Sequence, residues 1–146
     1  MEKLHEYSTS VNWTEGSKGR LASTGIPSLA VGAPPDFGGE GGVWSPEHMF
    51  VASTEVCVML TFLAIARMSK LEFVSWRSSA KGKVERVEGQ GFMFTGIEID
   101  AEIGLKQASD REKAEKVLEK TDKNCLVTKS MKTPVDFRYK INAEGD

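Results

Sequence analysis

The sequence predicts an α+β fold on three observations. Short polar strands punctuated by turn residues fill its beginning, one long helix carries apolar side chains at every angle, and alternating strands bracket an amphipathic helix in its second half. At 146 residues a single core is expected, so residues 1–146 are read as one domain. Apolar residues make up 40% and charged residues 27%, the balance of an ordinary globular chain rather than a disordered one. Lys+Arg 19 against Asp+Glu 21 leaves a net charge of −2 and no basic footprint, so a nucleic-acid or anionic-membrane partner is not expected.

The elements follow in chain order. Tyr7 to Trp13, Leu21 to Thr24 and Leu29 to Val31 read as a small antiparallel meander, with turns at Gly16, Gly19 and Gly25-Ile26-Pro27. Ala33 to Gly42 holds four glycines and two prolines and is read as a loop. Trp44-Ser45-Pro46-Glu47 then supplies a capping hydroxyl, a proline at the first helical position and an acid beside the positive helix end. From Met49 to Met68 no face is left for water, so this helix is expected to be enclosed on all sides. Its apolar run from Val56 to Ala66, flanked by Glu55 and Arg67, reads as too short for a bilayer span.

Leu71 to Ser79, Lys81 to Glu88 and Phe92 to Lys106 read as strands. In the last, Ile97, Ile99, Ala101, Ile103 and Leu105 alternate with acids, whereas Phe92 and Phe94 fall on the other parity, which places a bulge at Gly96. Ser109-Asp110-Arg111-Glu112 has the pattern of a capping box, and Ala114, Val117, Leu118 and Thr121 follow at helical spacing. Cys125 to Met131 suggests a further helical piece, which Thr133-Pro134 ends before Val135, Phe137, Tyr139 and Ile141 alternate as a closing strand.

Little of this sequence carries chemistry. His5 lies near a terminus and His48 stands without a ligand-spaced partner, so no metal site is expected and His48 is read as an exposed helix-start residue. Gly38-Gly39-Glu40-Gly41-Gly42 lacks the preceding strand and the following Lys of a phosphate loop. The first twenty residues lack the apolar core of a secretory signal, and the cytoplasm is the expected compartment. Cys57 and Cys125 can build neither a disulfide scaffold nor a zinc site, and a lone cysteine on an apolar helix reads first as inert packing.

The context of the two thiols shifts that reading. Ser45-Pro46-Glu47-His48-Met49-Phe50 leads, ten residues after the glutamate, to Cys57, and Cys125-Leu126-Val127-Thr128-Lys129-Ser130 holds the second cysteine at a helix end. Together with the upstream glycine loop and the element order, this resembles the OsmC/Ohr family of osmotically induced and organic hydroperoxide resistance proteins. The resemblance implies an intertwined homodimer in which antiparallel sheets wrap around long central helices. It also implies thiol-dependent reduction of organic hydroperoxides without cofactor or metal. Cys57 would be the attacking thiolate, Cys125 the thiol that resolves its sulfenate, and a dithiol, such as one of the lipoyl type, the reductant.

In the family an arginine from the meander stabilises the thiolate and a glutamate orients it; Glu47 matches the glutamate. Ten residues of straight helix separate Glu47 from Cys57 by about 15 Å, so both can serve one site only if the second chain brings its own Glu47. The arginine position is a departure, because Thr14-Glu15-Gly16-Ser17-Lys18-Gly19 places Ser17 there. Lys18 and Arg20 are the replacement cations, and with Phe50 they are the expected substrate contacts. Glu55 is a second departure; it points away from Cys57 and is expected to pair with a buried cation or polar group. The alternative reading is a redox sensor or small-molecule-binding dimer with weak or no peroxidase activity, motivated by Ser17.

Overall fold

The computed structural model describes residues 3–143. They form two compact units, one up to Phe50 and one from Val51.

In the first unit, β1 (Ser10–Glu15), β2 (Lys18–Ser23) and β3 (Ile26–Gly32) form the expected antiparallel meander in the order β1-β2-β3. Gly16 and Gly25 make the turns at positive φ, 51° and 78°. Gly19 does not: it lies inside β2 opposite Trp13, where a Cβ would stand 2.9 Å from the Asn12 carbonyl oxygen. Close backbone approach, not a turn, calls for glycine there. The glycine-rich loop folds into one 3-10 turn, Pro35–Phe37.

The helix α1 (Pro46–Met68) starts at the expected cap. Ser45 is fully buried, and its Oγ accepts the His48 N–H at 3.1 Å and sits 2.7 Å from His48 Nδ1, while His48 itself is exposed. Ser45→Ala is expected to cost about 1 kcal/mol, read as a lower denaturation midpoint; an unchanged midpoint would mean that this bond does not hold the helix start.

The described residues do not enclose α1 on all sides. Its buried residues are Thr54, Val58, Phe62, Ile65 and Ala66, a single stripe, whereas Val56 is 49%, Leu60 53% and Met68 74% exposed. The helix is also longer than the apolar run suggested: it has 23 residues and contains an 18-residue window of mean hydropathy 2.0, the length and composition of a bilayer span, because its threonines, alanines and serine dilute the run without ending it. The buried stripe belongs instead to the aromatic core, where the Phe62 ring lies 5.1 Å from Phe73 and 4.9 Å from Trp76. Lys70, at φ 57°, then turns the chain so that the Leu71 N–H reaches the Ala66 carbonyl at 2.9 Å and closes the helix.

In the second unit β4 (Phe73–Val87) is one strand where the sequence suggested two, since no turn residue interrupts it at Ala80. Gly82 lies within it because a Cβ there would meet Val51 Cγ2 at 2.5 Å. It pairs antiparallel with β5 (Gly91–Leu105), and β6 (Val135–Ala143) pairs parallel with β5, giving the order β4-β5-β6. The sheet is therefore mixed, not wholly antiparallel: the helical crossover from β5 returns the chain in the same direction. The expected bulge is present, with Lys83 opposite Gly96 and Val84 opposite Phe94, so that Thr95 is the extra residue.

That bulge sets Ile97, Ile99, Ala101, Ile103 and Leu105 on the buried face, none more than 4% exposed. The other face carries cross-strand ion pairs, including Arg138 on Asp100 at 2.9 and 3.0 Å and Arg77 on Glu102 at 2.6 Å. The helix α2 (Arg111–Asn124) buries the expected Ala114, Val117, Leu118 and Thr121. Its capping box does not form: a 3-10 turn, Ala108–Asp110, leads directly into it, so Ser109 is already in a turn and Asp110 caps without a side-chain bond. One helical turn, α3 (Leu126–Lys129), follows Cys125.

Candidate functional site

Cys57 projects from the part of α1 outside the buried stripe and is half-buried; Cys125 is 1% exposed. Cys125 ends α2 because its backbone is extended (φ −70°, ψ 115°), and the chain then restarts as α3. This break places the Cys125 thiol and the N–H groups of Leu126 and Val127 beside the Cys57 sulfur, close enough to act on its ionisation. The two thiols singled out in the sequence thus meet within the second unit, 68 residues apart in the chain.

Their electrostatic biases are opposite. Burial pushes the Cys57 thiol up, but the Val127 N–H, the Cys125 thiol and further neutral donors outweigh it and hold Cys57 below the ordinary cysteine range. Thr61 contributes little to this, since its one hydroxyl proton is committed to the Cys57 carbonyl at 2.7 Å and its distance to the sulfur is 3.9 Å. Cys125 is held above that range, first by burial and then by the Cys57 sulfur, against a bond from the Thr128 hydroxyl at 3.1 Å. The arrangement therefore favours a Cys57 thiolate accepting from a Cys125 thiol.

Cys57 opens on a groove of about 980 Å³. Val56, Leu60, Ala64, Met68 and Val127 make its apolar lining, and Lys120 and Asn124 are polar members. A ligand with an apolar body can lie here beside the thiolate.

The other expected residues stand elsewhere. Glu47, Ser17 and Lys18 line a cavity of about 560 Å³ in the first unit. Glu47 Oε1 is buried and accepts no hydrogen bond among the described residues, and Lys18 pairs with Glu40 at 3.2 Å. Ser17, at the position expected to hold a cation, thus faces the cavity of the glutamate but is too short and uncharged to serve it. Arg20 is exposed on β2 and donates to Ser28 Oγ at 3.0 Å. Phe50 is half-buried on α1. Glu55 has the expected polar partner, accepting from the Ser78 hydroxyl at 2.5 Å. Sequence reasoning missed the amide donors, which no side-chain pattern marks. It also missed Thr128, whose place three residues after a cysteine at a helix end was the available signal.

Residues 39–140 match the family of OsmC-like proteins. No curated protein matches the chain in sequence. Among solved structures, an OsmC-like protein of unknown function from Vibrio cholerae is 20% identical with a TM-score of 0.85, over 94% of this chain and 100% of that one. The organic hydroperoxide resistance protein OsmC from Legionella pneumophila is 23% identical with a TM-score of 0.75, over 97% and 99%. The organic hydroperoxide resistance protein OhrB of Bacillus subtilis is 18% identical with a TM-score of 0.68, over 96% and 100%. These likenesses carry the fold across nearly the whole chain.

Proposed function

Because the chain belongs to the OsmC-like protein family, we propose that it reduces organic hydroperoxides, with Cys57 as the attacking thiolate and Cys125 as the resolving thiol. The observation that carries this reading is the pairing of two thiols of opposite bias beside one apolar groove. The names of the similar Legionella and Bacillus proteins, given for organic hydroperoxide resistance, support it.

The Cys57 thiolate attacks the terminal peroxide oxygen. The S–O bond forms as the O–O bond breaks, the alkoxide leaves and takes a proton, and Cys57 becomes a sulfenic acid. The Cys125 thiolate then attacks the Cys57 sulfur; the S–S bond forms, and hydroxide leaves to become water. A dithiol, of the lipoyl type or similar, reopens the disulfide by two exchange steps and ends as its own disulfide.

In this reading a second copy of the chain covers the exposed face of α1 around Val56 and Leu60, since an apolar helix face of this kind is costly in water. The partner's Glu47 then serves the Cys57 site.

The second reading, a redox sensor or small-molecule-binding dimer with weak or no peroxidase activity, is favoured by Ser17 facing the cavity of a Glu47 oxygen that has no partner among the described residues. One experiment separates the two. The reduced protein is treated with one equivalent of cumene hydroperoxide, and its thiols are counted. Rapid loss of two thiols per chain, with a Cys57–Cys125 peptide under non-reducing digestion, is the expected result. Retention of both thiols would sink the peroxidase and leave the second reading.

A further inference from the structure

We propose that Thr128 is a positioning residue of the resolving step, acting through the hydrogen bond that its hydroxyl donates to Cys125 Sγ at 3.1 Å. The inference rests on the peroxidase reading and adds to it a residue that works on the second thiol rather than the first.

Resolution makes opposite demands on Cys125. Before the peroxide reacts, Cys125 is held as a thiol beside the Cys57 sulfur, above the ordinary cysteine range. Afterwards it must give up that proton and attack as a thiolate. Burial works against the second state, because Cys125 is 1% exposed and ionising a sulfur there is penalised. Among the described residues, the side chains that act on Cys125 are those of Thr128 and Cys57, and of these only Thr128 favours its ionised form.

The Thr128 hydroxyl meets both demands from one position. A thiol sulfur is donor through its hydrogen and acceptor through its lone pairs. A neutral sulfur accepts this bond and keeps its own proton, so the resting thiol is undisturbed. Once Cys57 is a sulfenic acid, the same hydroxyl donates to a charged sulfur, where a hydrogen bond is roughly twice as strong. The attack then proceeds with balance: Cys125 S⁻ and Cys57 S–OH give the disulfide and hydroxide.

The placement has a local cause. Cys125 stands in extended backbone ahead of α3, and Thr128 is the third residue of that turn. A side chain at this spacing returns over the residue that precedes the turn, as in capping geometry. The Thr128 N–H also lowers Cys125, but not in the geometry of a cap hydrogen bond, so the hydroxyl is the principal donor.

The test compares Thr128→Val, which keeps the shape and removes the donor, with Thr128→Ser, which keeps the donor. After one equivalent of cumene hydroperoxide, sulfenic acid at Cys57 is trapped with dimedone against time and disulfide is followed by mass. Thr128→Val is expected to form the sulfenic acid at near wild-type rate and to close the disulfide about tenfold more slowly, with Thr128→Ser close to wild type. A second arm needs no peroxide. In a Cys57→Ser background, the pH profile of Cys125 alkylation is expected to move up by about one unit on Thr128→Val and to return with Thr128→Ser. Wild-type closure in Thr128→Val, or equal slowing in both variants, would overturn the inference. Should the wild-type protein fail to react with hydroperoxide, the peroxidase reading fails, while the alkylation arm still decides whether Thr128 acts on Cys125.

Discussion

Cys57→Ser is expected to reduce hydroperoxide consumption to the level of buffer alone, the largest effect of any single change in the chain. A serine hydroxyl is not ionised near neutral pH and cannot form the sulfenic acid. Cys125→Ser is expected to differ in kind: the first equivalent of peroxide is still consumed, but turnover stops because no resolving thiol follows. The pH dependence has a definite sign. Cys57 is lowered and Cys125 raised from the ordinary range, so as pH rises Cys57 ionises first. The rate of sulfenic acid formation should therefore climb and level off below the ordinary thiol range near 8.5. Both results are read by stopped-flow peroxide consumption and iodoacetamide labelling of each cysteine. Peroxide turnover surviving in Cys57→Ser, or Cys125 labelling at lower pH than Cys57, would refute the assignment of roles.

Phe62→Ala is expected to destabilise the fold by about 3–5 kcal/mol. Phe62 is 0% exposed, and its ring touches Phe73 at 5.1 Å and Trp76 at 4.9 Å between centroids. Trp76 in turn stacks with Phe137 at 6.4 Å, so the cavity opens where β4 and β6 aromatics converge on α1. Ring pairs of this type add about 0.5–1.5 kcal/mol each beyond their buried area. The measurement is urea denaturation followed by far-UV circular dichroism, taken as a midpoint shift with unchanged slope. A loss under about 1 kcal/mol would mean that the cluster is not the core of the second unit. Trp76 Nε1, buried with no hydrogen-bond partner among the described residues, makes the cluster intolerant of repacking as well as of truncation.

Local chemistry made most elements legible before any coordinates. The Ser45-Pro46 start of α1, the buried alternation of Ile97 to Leu105, the Thr95–Gly96 bulge and the Ala114 to Thr121 stripe all depend on neighbours within a few residues. The failures share a different cause. Gly19 was read as a turn but answers to the Asn12 carbonyl across the meander; the split of β4 and the wholly antiparallel sheet depended on which strands pair. The capping box at Ser109 was overridden by the turn that carries the chain from β5 into α2. Enclosure of α1 was inferred from composition, which states how much apolar surface needs cover but not whether the same chain supplies it.

The same division holds at the site. By itself the sequence determined the family, through Pro46-Glu47, Cys57 and Cys125 in order, and it determined which two sulfurs to examine. It also marked Ser17 as a departure at the position where the resemblance expects a cation. Only the tertiary structure decided that the extended backbone at Cys125 delivers its thiol and the amides of Leu126 and Val127 to Cys57, and that Thr128 stands behind Cys125. Backbone donors are the same in every residue and leave no mark in a sequence, and a hydrogen bond of 3.1 Å depends on where a chain break turns a side chain; such facts exist only once the fold has set distances.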